Sequence, residues 1–425
     1  MALTTPIESL DDRPSCCEYA TGRVFYGFRN NIYYSQVMEA ESIDKLSKCY
    51  QANDPTAEQL SDVLATDGGT IQVNDANSIV QIKNFKNGVL IYALNGVWYL
   101  SGPDTGFTAT NFSLTQVNSS GCISPQSVVV VEDAHYYWSN EGLFSVGVNK
   151  FGSAESINII EGTTQSFYSA IPMTSKKRSY GVYNRIRKQV EWHYSSTDQT
   201  GATDYREAKD LSLILDLRTG GVWPQSYNRT KQEAAGQFIA CPVNTTQATE
   251  SQDSVVVVID AGTVTTTQDY SIDFGLKTDT SFQDFSTNYT TAYIETGYET
   301  LDKPSNKKVA PYITTHFSQT EQNWINDGSG GLTLDFKSGC QMRAKWDWND
   351  SSTNGRWSPA QQAYKFRRVN VPAAAGAFDS GETVITTKSK MLGRGNALSI
   401  RFEQEANKDM KLLGYTVQYN VKGRM

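Results

Sequence analysis

The sequence predicts an all-β protein, a β-propeller with lengthened loops followed by a C-terminal β-sandwich. Three observations carry that prediction. Strand-forming residues are heavily used, with 23 Tyr and 17 Phe beside abundant Val, Ile and Thr in 425 residues, and such side chains suit a pleated, half-buried surface. Short apolar runs stop again and again at turns containing Asn, Asp or Gly, the punctuation of hairpins. Helix-formers almost never occur in long runs with helical periodicity.

Residues 1–22 read as an N-terminal arm, 23–284 as the propeller-like domain and 285–425 as the sandwich. The first hairpin joins Arg23–Phe28 to Ile32–Val37 through Asn30-Asn31, a pair that tolerates positive φ. A helix is predicted from Asp54, which can cap it, with Pro55 in the first turn and Glu58, Leu60, Val63 and Leu64 following. The second hairpin, Val89–Leu94 and Val97–Leu100, encloses Asn95-Gly96, the strongest short-range hairpin signal.

A meander follows: Ser127–Val131, His135–Ser139 and Leu143–Val146, parted by Glu132-Asp133 and Asn140-Glu141-Gly142. Ser179–Tyr183 then pairs with Gln189–Tyr194 across a basic loop. Leu211–Asp216 turns at Thr219-Gly220-Gly221 into Val222 and Trp223, and Ser254–Ile259 turns at Asp260-Ala261-Gly262 into Thr263–Thr266. These units recur roughly 40 to 65 residues apart, which suits propeller blades with irregular loops. Radial closure lets many short strands coexist without open edges.

Beyond a Thr-, Ser- and Asp-rich stretch at 276–290 the strands lengthen: Val309–Phe317, Gly331–Phe336, Met342–Trp348, Tyr364–Val369, Thr383–Thr387, Ala397–Glu403 and Leu412–Val421. Leu398-Ser399-Ile400-Arg401-Phe402-Glu403 alternates apolar and polar residues, as one face of a sandwich requires.

Composition excludes several function classes. The net charge of −7 argues against a protein that coats nucleic acid, because phosphate binding needs a cationic surface. No run of about 18 apolar residues predicts a membrane-spanning helix. Met1 to Arg13 lacks the apolar centre of a secretory signal, so the expectation is a protein made and kept in a cytosol until assembled. Cys16, Cys17, Cys49, Cys122, Cys241 and Cys340 contain no CxxC pair, so neither a zinc site nor a disulfide framework is signalled.

Chemistry-bearing residues are sparse. His135, His193 and His316 are the three histidines, each inside a predicted strand and far from the others, which predicts no metal site. Phosphate loops and nucleophile elbows are missing, and Gly393-Arg394-Gly395 precedes a strand, as a turn would. Since propellers host glycosidases, Glu295, Glu299, Asp347 and Asp350 are candidate acids, with Trp346, Trp348 and Trp357 as candidate sugar-stacking rings. Ser351–Trp357 resembles a sialidase Asp-box but lacks its aspartate. No pair of carboxylates is set at a defined separation, so these residues are expected in cores and turns. Lys176-Lys177-Arg178 and Arg185, Arg187 and Lys188 are expected on solvated loops, or against an acidic neighbouring subunit. No catalytic residue, metal or cofactor is predicted.

Several segments resemble the propeller-containing tail proteins of short-tailed bacteriophages. They are Arg23–Gly27 with Asn31–Gln36, Cys49–Thr56 with Thr66–Gly69, Leu94–Gly102, and Ser127–Val131 with Tyr137–Ser139. Glu295–Tyr298, Gly355–Ser358, Gly393–Leu398, Lys408-Asp409 and Leu412–Tyr415 continue the likeness, in order, over nearly the whole chain. The resemblance implies a tail nozzle, or distal tail-tube component, that forms a hexameric ring with copies of itself. Such a ring would sit below the portal and adaptor, contact other tail proteins and let double-stranded DNA pass without inserting into a membrane. Its place would be the virion tail, assembled in the host cytoplasm. The likeness begins near Arg23, leaving little room for the N-terminal platform domain of many nozzles. An anionic lumen would repel phosphates and keep DNA moving. The rival expectations are a tail module that binds a host receptor or glycan through Trp346, Trp348 and Trp357, and a glycan-cleaving propeller.

Overall fold

The computed structural model describes residues 13–37, 63–102, 106–185, 187–195, 211–226, the strand backbones within 240–276, and 291–302, 304–335, 338–348, 357–365, 370–406 and 408–421. The chain divides into two compact units, Met1–Phe274 and Gly275–Met425.

Unit 1 is built from antiparallel meanders in which each strand pairs with the next in sequence. Sheet A comprises Cys16–Ala20, Arg23–Phe28, Asn31–Tyr34 and Gly69–Gln72. Sheet B comprises Ile79–Phe85, Gly88–Ala93, Gly96–Ser101 and Ser113–Asn118. Sheet C holds Val129–Val131, Ala134–Trp138, Leu143–Val148 and Ala154–Asn158. Sheet D holds Tyr180–Asn184, Gln189–Tyr194, Leu211–Asp216 and Val222–Ser226. Beyond them, Ala240–Val243, Val255–Ala261 and Tyr270–Leu276 pair as a further sheet.

Successive sheets are joined face to face by their cores, which makes them blades of a β-propeller. Phe25, Ile32 and Tyr34 of sheet A pack with Ile82, Val89 and Ile91 of sheet B. The opposite face of sheet B, with Leu90 and Tyr92, packs on Tyr137, Phe144 and Val146 of sheet C. Trp138 and Leu143 on the other face of sheet C meet Val190, Trp192 and Leu213 of sheet D. Gly88–Ala93 is therefore buried on both faces along its whole length, which explains why Val89-Leu90-Ile91-Tyr92 does not alternate. Each large apolar side chain so enclosed is worth roughly 1.5–3 kcal/mol.

The strand Cys16–Ala20 pairs with Arg23–Phe28, so the expected arm of residues 1–22 gives up its last part to sheet A. Ser15 secures this strand by donating from its hydroxyl to the Ile79 carbonyl of sheet B at 2.7 Å. The fourth strands of sheets A, B and C have no counterpart in the sequence pattern, being polar and largely exposed, as in Ser113–Asn118, whereas that of sheet D, Val222–Ser226, begins at the expected Val222 and Trp223. The first hairpin turn of each blade carries a non-glycine residue at positive φ, namely Thr21, Lys86, Glu132 and Lys188. That shared feature is a stronger repeat than any sequence motif.

Two predicted turns move. Ala93 pairs with Gly96, so the loop of the second hairpin is Leu94-Asn95 and Gly96 lies inside the strand. A Cβ on Gly96 would stand 2.8 Å from the Trp98 ring and 2.9 Å from the Asn118 carbonyl; close approach, not turn geometry, requires glycine there. In the first hairpin Phe28 pairs with Asn31, and the positive φ falls on Arg29. Two short helices, Gln165–Ser169 and Met173–Lys177, connect sheets C and D. The helix predicted from Asp54 lies, up to residue 62, outside the described residues, as do Thr263–Thr266 and residues 366–369.

Unit 2 is a sandwich. One sheet orders Tyr293–Glu295, Leu398–Gln404, Cys340–Trp346 and Gln361–Gln362. The other centres on Lys308–Ser318, paired with Val384–Lys390, Arg394–Gly395 and Leu412–Val421. Ile313 and Phe317 of the second sheet meet Met342, Ile400 and Phe402 of the first. Asn323–Asn326 pairs with Leu332–Leu334 and Gly376–Ala377 in a small extra sheet.

Candidate functional site

The histidines are separated and engaged in packing. His135 of sheet C is buried against sheet B, stacked on Tyr92 with Nδ1 2.9 Å from its hydroxyl. Burial lowers its pKa to about 4, while a backbone hydrogen bond at Asn84 opposes the shift. His193 is fully buried in sheet D, stacked on Tyr180 and 3.7 Å from the Glu191 carboxylate. His316 is half-buried in unit 2 beside Thr386 at 3.1 Å. Among the described residues no group of His, Cys, Asp and Glu could hold a metal ion. Cys122 and Cys340 are free and buried, and burial pushes both thiols up to about 12, far from a reactive thiolate.

Two cations are buried, one of them, Lys176, against the expectation of a solvated loop. Lys176 is buried, its ammonium 4.4 Å from the Tyr168 ring centre and 3.4 Å from the Asn140 carbonyl; burial lowers its pKa. Lys177 and Arg178 are exposed, as are Arg185 and Lys188, while Arg187 is half-buried. Arg23, read only as the first residue of a strand, is fully buried. Its guanidinium donates to the Ser35 carbonyl at 2.7 Å and to the carbonyls of Asp67 and Ala65. The rings of Tyr34 and Phe107 lie beside it at 5.6 and 5.7 Å.

On unit 2 the structure assembles a mixed aromatic and charged cluster. Its base is Lys345, on the outward side of the strand Cys340–Trp346 and only 9 % exposed. The ammonium lies between two rings, 5.2 Å from Trp357 and 5.8 Å from Tyr298. Tyr298 is in turn 6.2 Å from Trp348, the two planes inclined at 39°. Trp348 is 52 % exposed. Glu299 and Asp347, both exposed, flank these rings in sequence.

A strained turn sets Trp348 outward. Asp347 and Trp348 both occupy the left-handed region, at φ 61° and 51°, which is uncommon for a bulky residue. The Asp347 N–H donates to the Ala397 carbonyl at 2.9 Å, and its carboxylate accepts the Asn396 N–H. Gly395 makes room, since a Cβ there would sit 2.6 Å from that carboxylate. Period-2 alternation alone would put Trp346 and Trp348 on one face. Instead Trp346 packs on the sandwich core, donating to the Leu392 carbonyl at 3.2 Å, and only Trp348 and Trp357 join the cluster.

Glu295 lies apart in an edge strand opposite Arg401. Asp350 and residues 351–356 of the Asp-box-like segment are outside the described residues. Tyr298 and Lys345 were missed as site residues. The strand alternation that sends Trp346 inward was the available signal for Lys345, and nothing local pointed to Tyr298.

No family model matches this sequence, and no curated protein does. Among solved structures the chain is similar to the N-terminal domain of Nup159, at 15 % identity over 61 % of this chain and 60 % of that one, with a TM-score of 0.32. It is similar to the Neurospora crassa Pan2 WD40 domain at 10 % identity, covering 64 % of each chain with a TM-score of 0.28. It is also similar to the extracellular domain of a one-component system from B. thetaiotaomicron, at 11 % identity over 88 % of this chain and 40 % of that one, TM-score 0.32. The chain spans less than two thirds of the length of each. Likenesses this distant bear on neither family nor function, and the propeller reading rests on the stacked sheets.

Proposed function

We propose that this chain is a structural subunit of a virion tail, a ring-forming nozzle or tail-tube component that contributes to the conduit for genome ejection. The specific placement in a short-tailed phage rests on the ordered resemblance along the sequence. The hexameric ring, the adaptor and other tail proteins as neighbours, and the passage of DNA come with it.

One structural observation carries the assembly part of the reading. On the turn between the last two strands of sheet C, Phe151 stands 89 % exposed. It adjoins a hollow lined by Phe85, Lys86, Asn87, Tyr99, Val148 and Gly152. A phenyl ring left in water forfeits roughly 1.5–3 kcal/mol that a covering subunit would recover. The buried histidines, thiols and Lys176 support the same reading, because their chemistry is spent on packing. The net charge of −7 suits a conduit whose wall repels phosphate.

Electron microscopy of tailed particles labelled with an antibody to this chain tests the proposal. Label on the tail axis at its distal end is expected. Particles that infect normally yet carry no copy of the chain would refute it.

A further inference from the structure

We infer that the Trp348–Tyr298 platform of unit 2 is a binding site for a pyranose ring of a neutral saccharide. The inference holds whether or not the chain forms a ring.

Two successive non-glycine residues at positive φ, one of them tryptophan, are unfavourable. Here they are held by the Asp347 hydrogen bonds to residues 396 and 397 and by the absence of a side chain at Gly395. The outcome of that construction is an indole held half in water.

The chemistry of the surroundings selects the ligand. A pyranose presents a face of C–H bonds, weakly positive, that stacks on the electron-rich face of an indole, while its hydroxyls need donors and acceptors at the rim. Trp348, 52 % exposed, and the half-buried Tyr298, 6.2 Å away and inclined at 39°, set two rings side by side against which a flat sugar can stack. Glu299 and Asp347, exposed and next in sequence to Tyr298 and Trp348, bring carboxylates near the rings, the Asp347 carboxylate also accepting the Asn396 N–H. Lys345, enclosed by Tyr298 and Trp357, stiffens the platform from beneath. A nucleic acid fits poorly, since those carboxylates would oppose its phosphates.

The test uses the full chain. Native gels containing dextran, laminarin or yeast mannan report retardation, and saturation-transfer NMR with the corresponding oligosaccharides reports contact. We expect at least one neutral polysaccharide to retard the protein and Trp348→Ala to weaken that retardation about tenfold or more. Trp223→Ala, which removes an exposed indole of unit 1, should leave it unchanged. Trp348→Phe should keep part of the binding, and an unchanged circular-dichroism spectrum would confirm that Trp348→Ala folds. No retardation and no saturation transfer with all three polysaccharides would overturn the inference. So would equal loss in the Trp223 variant, or retardation by DNA and not by saccharide.

Discussion

The indole N–H of Trp192 in sheet D donates to the backbone carbonyl of Ser127, 2.8 Å away and 65 residues earlier in the chain, in a fully buried setting. Ser127 leads into sheet C, so this bond, together with the one from the Ser124 hydroxyl to the Ser179 carbonyl at 2.5 Å, stitches one blade to the next. Trp192→Phe should keep most of the packing but leave that carbonyl unpaired, costing about 1–3 kcal/mol. Trp192→Ala adds a cavity and should cost about 3–5 kcal/mol. Urea denaturation followed by near-ultraviolet circular dichroism measures both, and a Trp192→Phe variant as stable as the wild type would show that the hydrogen bond contributes nothing.

Arg23 does comparable work within sheet A. Its guanidinium ties the carbonyls of Ala65 and Asp67, which approach the last strand of the blade, to the carbonyl of Ser35. Arg23→Met preserves bulk but orphans these acceptors. We expect a loss of about 3 kcal/mol or more and faster cleavage near residues 64–67 in limited proteolysis. Arg23→Lys should rescue only partly, since a point charge cannot reach three carbonyls in a fork.

How much of this was legible beforehand depends on whether a residue's role is local. The hairpins at Val89–Leu100 and Val129–Val146 could be read from apolar runs and turn residues, because strand formation there needs only neighbours in sequence. The shift of Gly96 out of the turn could not, because it depends on Trp98 and the Asn118 carbonyl reaching it across the sheet. Nor could the burial of Arg23 and Lys176, since long cations on a surface and in a core look alike in sequence. The outer strands of sheets A, B and C, such as Ala154–Asn158, were invisible because their exposed polar faces carry no periodic apolar signal. The platform followed the same rule: Trp348 and Trp357 were visible as residues, but their meeting with Tyr298 and Lys345 is tertiary.

His135 sets a pH dependence. Its folded-state pKa is lowered from 6.5 to about 4 by burial, so between those values the unfolded chain binds the proton and the folded chain does not. Stability from this group is fully present above about pH 6.5 and is lost as pH falls toward 4, by an amount on the order of 3 kcal/mol. Melting temperatures of the wild type should fall over that window, and His135→Asn should flatten that part of the profile. An identical slope in both proteins would place the pH sensitivity elsewhere.

Phe151 separates assembly from folding. Because its ring is exposed on a turn, Phe151→Ser should change unfolding free energy by no more than about 0.5 kcal/mol. The same substitution should shift the concentration for self-association upward by about tenfold or more, as expected for an aromatic anchor at an interface. Sedimentation velocity across a concentration series measures the second effect. Association unaltered in the variant would remove this surface from the interface.

A single-particle reconstruction of the assembly that carries this chain bears most directly on the central claim, that its outward surface is spent on neighbouring copies. The account predicts copies related by rotation about an axis enclosing an open channel, with Phe151 covered by an adjacent subunit. Isolated copies with no rotational partner, and Phe151 facing solvent in each, would contradict it.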